Sequence, residues 1–501
     1  MKPLTNTKAL FCFFSILFFF GYQNTATAQD ARFVCGGAVE NQVWSLWDTG
    51  VRDQLRQNLI QDRLLKQGDV YGLYFFQVYT HNMVSMARRC NRKDRLLEVA
   101  QLIKMAYSNL DKSIAPQQRR WIHTKGSYRG KEVMLCSVQF LGLASSVANA
   151  LATSSAPLNN EEKAFIRDTV QIIVEHLLRW GDKKAIDALQ KNIEARPEDI
   201  KEIKRSADIL FTDKFLWQIT IYAELAGILQ ANDRQKLGLR AISPEDKKQL
   251  QKHLSMLLKF FLTRVSIQRA PRGRFDNVDL ADLDRGYWRL FVDNLYAGYD
   301  KSAKPVELIP SYNGKVKAMT KINIPVNKVP RRQDTGWDIS HARRLVHALD
   351  ALERNRLALK NIFYLHGRQL PPESLPTAFA NTLVATIWNG DTEKPLFSNY
   401  WSGANGWYRV DYDGGSGSSE GTPPYGMTDS FLSGGYVTWS KYNPIIGSLG
   451  RHFYDLTNST KRDNDRFMEK YYKQFSKGAD AKSKNLNKLT FYPSLVGIQS
   501  Q

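Results

Sequence analysis

Cysteine is scarce, with four among 501 residues, and Cys12 lies in an N-terminal stretch that reads as a removable leader. The remaining Cys35, Cys90 and Cys136 allow at most one disulfide within the chain, and their spacing does not select its partners. A packed core, not a disulfide framework, must therefore hold the fold. No CxxC or CxxH spacing is present, which argues against a cysteine-built zinc site, and neither metal nor cofactor is expected. G-x-S-x-G, a Walker phosphate loop and H-E-x-x-H are also absent, so a serine-hydrolase elbow, an NTPase and a zincin lose support. After the first 28 residues no apolar stretch matches the leader's, and no membrane span is expected in the mature chain. A fixed internal period is missing as well, which weakens a solenoid reading.

The leader itself is explicit. Lys2 and Lys8 precede a nearly uncharged run over 9–21, and Ala26-Thr27-Ala28 then stands before Gln29, the three parts of an export signal. Cleavage after Ala28 is expected, placing the protein in a periplasm or outside the cell. The formal charge of +21 would fall to +19 without Lys2 and Lys8. Such an excess favours anionic partners such as acidic polysaccharide, cell-wall polymer or lipid head groups, although lysines also simply solvate a surface. Nucleic acid would rest on charge alone, and export argues against it.

From residue 51 to about 300, two kinds of segment take turns. Residues 51–66, 91–110, 160–180 and 245–263 carry apolar positions at helical spacing among many charges, the pattern of helices with one wet face. Residues 70–87, 132–151, 209–229 and 282–298 are apolar or small nearly all round, as buried helices are. Prolines 305, 310, 325 and 330 mark 301–333 as an extended excursion. Helices are expected again at 337–359, 375–388, 428–441 and 445–456, with an aromatic, glycine-rich loop over 399–426. Residues 29–475 read as one domain, and 476–501 as a basic, mobile tail.

Wet and dry helices in alternation, in about six hairpins, make the chain mainly α and resemble the α/α-toroid enzymes that process glycans, a group of polysaccharide lyases and glycoside hydrolases. That resemblance implies outer helices meeting solvent, inner helices lining the centre, and an active site at the mouth of the ring.

The candidate catalytic residues lie in 334–341, Asp-Thr-Gly-Trp-Asp-Ile-Ser-His. Thr335 with Asp338 three places on fits a capping box. Asp338 and His341 nevertheless share a stripe with Leu345 and Leu352, so His341 can serve as general base or acid with Asp338 orienting it. Arg344 can pair with a substrate carboxylate, or be an ordinary surface ion pair; His347 reads as solvent-exposed. In the aromatic loop Trp401, Asn405, Trp407, Arg409, Asp411 and Asp413 suit a saccharide cleft, with Tyr408 as a second candidate base; the same residues also suit a packed lid. Residues 414–421 would be a flap over it. Gln77, His81 and Glu224 on buried helices either face a central cavity or form a satisfied internal network. Three functions follow as expectations: an exported lyase on an acidic polysaccharide, a glycoside hydrolase using an Asp/Glu pair, or a non-catalytic glycan or partner binder.

Overall fold

The computed structural model describes residues 30–111, 119–199, 209–270, 275, 277–288, 334–408, 412–413, 418–419 and 422–498. Over these residues the chain is mainly helical, as the alternation requires. The first half holds α1 (Ala38–Leu46), α2 (Arg52–Leu55) with its π-helical continuation Arg56–Lys66, α3 (Tyr71–Arg89) and α4 (Lys93–Tyr107). After the small hairpin β1 (Ile122–His123) and β2 (Lys131–Glu132) come α5 (Met134–Thr153), α6 (Asn160–Trp180), α7 (Lys183–Glu194), α8 (Asp213–Gln235) and α9 (Pro244–Arg264). The antiparallel pair β3 (Val265–Arg269) and β4 (Asp279–Leu283) precedes α10 (Ile339–Ala342), α11 (Arg344–Arg354), α12 (Arg356–Phe363) and α13 (Leu375–Thr382). The short pair β5 (Tyr412–Asp413) and β6 (Ser418–Ser419) is followed by α14 (Ser430–Ser433), a 3-10 stretch Tyr436–Lys441, α15 (Pro444–Thr457), α16 (Arg462–Tyr471) and α17 (Ala481–Phe491).

The ends of these helices are written locally. Asn159 accepts from the Glu162 amide while the Glu162 carboxylate takes the Asn159 amide, a reciprocal cap that starts α6 where the sequence predicts it. Ser243 caps α9 with Pro244 in its first turn, where a missing N–H costs nothing.

Dry and wet helices take different places. α5 is buried from Cys136 to Ala152 and α8 from Leu216 to Ile228. The two pack against each other, α3 lies against α5, and α11 lies against α8. α4, α6 and α9 back onto them and keep an exposed face. Two glycines bring α5 and α8 close: a Cβ on Gly142 would stand 2.5 Å from the Trp217 ring, and one on Gly227 would stand 2.5 Å from the Asn149 amide. α5 is long and apolar enough to cross a bilayer, but it is enclosed by the neighbouring helices.

Several expectations change. Residues 282 and 283, the start of the predicted 282–298 helix, belong instead to strand β4, because the short run Asp279–Leu283 pairs with Val265–Arg269; residues 289–298 and the 301–333 excursion lie outside the described residues. The helix predicted over 337–359 breaks at Arg343 and again at Asn355. That over 428–441 breaks at Gly434 and Gly435, the latter at φ +75. The tail is not loose over its described part: Asp480 caps α17, which packs on α3 and buries Leu489, Phe491, Tyr492 and Val496. Cys35 and Cys90 form a disulfide, and Cys136 is a buried free thiol.

Candidate active site at the inner helix ends

Strand β4 and the loop after Trp388 fix the start of α10. The Trp337 amide bonds to Leu283, its carbonyl accepts from Trp401 at 2.6 Å, and Ile339 donates to Asn399. Asp338, wholly buried between them, is the N-cap of α10: Oδ1 accepts the amides of Ser340 and His341, each at 3.0 Å, and the Ser340 hydroxyl at 2.6 Å. The expected Thr335 cap is thus displaced by Asp338, whose shorter reach to the two amides wins. The second oxygen, Oδ2, meets His341 Nδ1 at 2.6 Å. Burial would push this carboxyl up, but the His341 ring and the hydrogen bonds hold it well below the usual range. With Nδ1 turned to Asp338, Nε2 is the ring nitrogen on the far side of the imidazole. The imidazole is 18% exposed and is flanked edge-on by Trp288 and Trp337.

One turn on, Arg344 is 5% exposed and its guanidinium binds several elements together. It donates to the Ser340 carbonyl at 2.5 Å, to the Tyr74 hydroxyl of α3 at 3.1 Å and to Gln139 of α5 at 3.4 Å. Asp213, the first residue of α8, lies 3.5 Å away. Tyr74, Gln139, Asp213 and Arg344 all stand in the N-terminal parts of their helices, so α3, α5, α8 and α11 present their amino ends together. Unpaired amides and the helix dipoles make such a face electropositive. Burial would push the Tyr74 phenol up, but Arg344 and Arg343 more than offset it and lower it below its ordinary value. Because Tyr74 accepts from Arg344, its own proton points to another acceptor.

The aromatic loop touches this segment by backbone, not by its predicted binding groups. Trp401 is fully buried and donates to the Ala281 carbonyl; Asn405 is buried and its oxygen takes the Tyr425 amide. Trp407 and Tyr408 are each 6% exposed, and Tyr408 pairs with Thr422 through the backbone. These aromatics close the core rather than offer ring faces, because residues 399–408 wedge between β4 and the 3-10 stretch Tyr436–Lys441. Arg409 and Asp411 lie outside the described residues, and Asp413 is placed only as backbone of β5.

Deeper in, the buried polar residues form one connected interior. Gln139 donates to Gln77 at 2.7 Å, and Gln77 meets His81 at 3.0 Å. His81 stacks on His347 with centroids 3.8 Å apart, both beside Trp217. His347 is therefore not solvent-exposed as expected: the face of α11 that carries it packs on His81 of α3 and Trp217 of α8. Burial lowers His81 to about 3 and drives His347 well below its ordinary value. Beyond them Glu224 accepts from Ser146, Asn149 and Arg354, and Arg354 and Arg88 share Asp350.

The larger cavities open at that far end. One of about 510 Å³ is lined by Arg88, Lys93, Asn149 and Arg354, and one of about 380 Å³ by Arg88, Asp350, Arg354 and Lys441. Their ion pairs are complete: Arg88 with Asp350, Arg354 with Glu224, Lys93 with Glu162 and Lys441 with Glu353. Volume alone does not make a reactive centre, and the dyad at the amino ends carries the chemistry that these cavities lack. Among the described residues, the ligand atoms that gather as a metal site would belong to Cys35, Glu40 and Cys90, whose sulfurs are joined to each other. The sequence reading had His341, Asp338 and Arg344; it missed Tyr74, Gln139 and Asp213, whose only signal is a polar atom on an otherwise apolar inner helix. No family model, curated protein or solved structure matches the chain.

Proposed function

We propose that this protein is an exported glycan-active enzyme, a lyase acting on an acidic polysaccharide, built as an α/α toroid. The observation that carries the reading is the meeting of an Asp–His dyad, an arginine pair and a tyrosine at the shared amino ends of four inner helices. Ring closure is supported by the succession of packed neighbours: α3, α5, α8, α11, then the 3-10 stretch Tyr436–Lys441, and α17 back on α3 through α14 and the segment Tyr492–Leu495. Export is supported by the leader and by the Cys35–Cys90 disulfide, which suits an oxidising compartment.

Elimination needs a base, charge neutralisation and an acid. His341 Nε2 removes the proton from the carbon bearing the uronate carboxylate, and Asp338 stabilises the imidazolium that forms. Arg344, the half-buried Arg343 and the four helix amino ends offset the charge that builds on the carboxylate. The electron pair of the broken C–H bond becomes the new C=C bond, the C–O bond to the leaving sugar opens, and Tyr74 gives its proton to that oxygen. Proton count and charge balance, with one unsaturated product and one new hydroxyl.

The test is incubation of the mature protein with alginate, polygalacturonate, hyaluronan and a neutral β-glucan. Growth of ultraviolet absorbance from an unsaturated uronate, lost in His341→Ala, is the expected result. Reducing ends without absorbance mean hydrolysis, and neither signal on any polymer leaves a non-catalytic binder.

A further inference from the structure

We propose that Gln139 is a positioning residue that holds Arg344 open for a substrate carboxylate, as the first link of a one-way chain of hydrogen bonds ending on Glu224; this rests on the function proposed above. Every link joins buried side chains. Arg344 Nη2 donates to Gln139 Oε1 at 3.4 Å, Gln139 Nε2 to Gln77 Oε1 at 2.7 Å, and Gln77 Nε2 to His81 Nδ1 at 3.0 Å. On the other side of the ring His81 Nε2 meets the Ser146 hydroxyl at 3.4 Å, and Ser146 donates to Glu224 at 2.8 Å. The chain thus passes from α11 through α5 and α3 and back through α5 to α8.

Chemistry sets its direction. A guanidinium only donates and a carboxylate only accepts, so both ends are fixed before any amide is oriented. Gln139 must turn its oxygen to Arg344, which turns its nitrogen to Gln77, and Gln77 then offers its own nitrogen to His81. Ser146 gives its single proton to Glu224 and must accept from the ring. Burial lowers His81 to about 3, so the ring is neutral, with one nitrogen accepting and the other donating. The arrangement that satisfies every group puts the His81 proton on Nε2.

What Gln139 prevents is a closed ion pair. Asp213 Oδ2 stands 3.5 Å from the same Arg344 Nη2, beyond the ~2.7–2.9 Å of a hydrogen-bonded arginine–carboxylate pair. Nη2 carries two hydrogens, and Tyr74 and Gln139 take them. Asp213 therefore faces Arg344 without capturing it, and the guanidinium keeps its charge for a uronate. The chain secures Gln139 in this role, because an amide whose nitrogen is committed to Gln77 cannot turn its oxygen elsewhere.

The experiment is a nitrogen NMR spectrum of the mature protein carrying isotope-labelled histidine, with the His81 signals assigned by their loss in His81→Gln, together with kcat and KM on alginate, polygalacturonate and hyaluronan. Wild type is expected to show a protonated Nε2 and a lone-pair Nδ1 at His81. Gln139→Glu keeps the shape and the oxygen toward Arg344 but sets a second oxygen against Gln77; Gln77 then turns, its oxygen faces the ring, and the His81 proton moves to Nδ1. A proton on Nδ1 in wild type, or the same pattern in both proteins, overturns the chain. Gln139→Leu releases an Nη2 hydrogen to Asp213 and is expected to lower kcat per folded molecule by about 10²-fold; Asp213→Asn in that background is expected to restore most of the loss. Losses that add in the double variant, or wild-type kcat in Gln139→Leu, overturn the positioning role. If wild type cleaves none of the polymers while the His81 proton moves as expected, the lyase reaction fails and the hold on Arg344 stands. If His341→Ala abolishes cleavage while Gln139→Leu keeps kcat, the reverse holds.

Discussion

The two ends of the inner helices use the same kinds of residue to opposite effect. At the carboxyl ends Arg88, Arg354, Asp350 and Glu224 neutralise one another and are further tied by Ser146, Asn149 and Asn355. At the amino ends, Arg344 and Arg343 face Asp213, Asp338 and Asp429, and Asp338 is committed to a histidine that keeps an exposed edge. Arg344 lies ten residues from Arg354 on a helix rising about 1.5 Å per residue, so the two ends stand about 15 Å apart. Between them the stacked His81 and His347 keep the interior uncharged. A closed polar network secures the packing of the helices, and one that includes a partly exposed histidine can meet a ligand.

The comparison breaks most sharply at His341. His341→Ala should lower kcat by about 10³-fold with little change in the denaturation midpoint; a full loss of stability instead would make the dyad a structural cap. At the other end the sign reverses. Arg354→Ala strands the buried Glu224 carboxylate and should destabilise the fold by about 3 kcal/mol, read from urea unfolding, while kcat per folded molecule holds; Glu224→Gln should cost less. Tyr74→Phe, which removes the transferable proton but keeps the ring, should reduce kcat by about 10²-fold and flatten the alkaline limb of the rate profile. An unchanged profile would remove Tyr74 from the reaction.

The smallest effect sharpens the boundary between site and scaffold. Asp282 lies against Gly336, its Oδ1 accepts the Leu283 amide, and burial pushes it up to about 7 from 3.8. The folded chain therefore holds this proton at pH values where the unfolded chain has released it. Its stabilising contribution is full below about pH 3.8 and lost as pH rises through about 7. Asp282→Asn should lessen the decline in thermal midpoint between pH 5 and pH 8; an identical decline in the variant would mean that Asp282 does not titrate there.

Periodicity carries far in this chain, and for physical reasons. Wet helices such as α6 and α9 appear within a residue of their expected limits, since one polar face, an Asn or Ser cap and a charged first turn all agree. The Asp338–His341 contact was legible because three residues along one turn bring side chains together whatever surrounds them. What failed depends on partners distant in sequence. Trp401 and Asn405 look like sugar-binding groups until Ala281 and Tyr425 are seen to use them. His347 looks wet until α11 is placed against His81. Tyr74 and Gln139 sit 65 residues apart in apolar surroundings, and only the packing of α3 on α5 shows that Arg344 joins them.

The Gly497 amide donates to the Phe33 carbonyl at 2.9 Å, and a Cβ on Gly497 would press on both sulfurs of the Cys35–Cys90 bridge. The first and last described segments thus lie side by side. A short peptide can join them, and new termini can be opened in the exposed turn at Gly238 without crossing the inner helices. Such a circular permutant would keep the inner-helix contacts named above while moving both chain ends from the end of α3 to the end of α8.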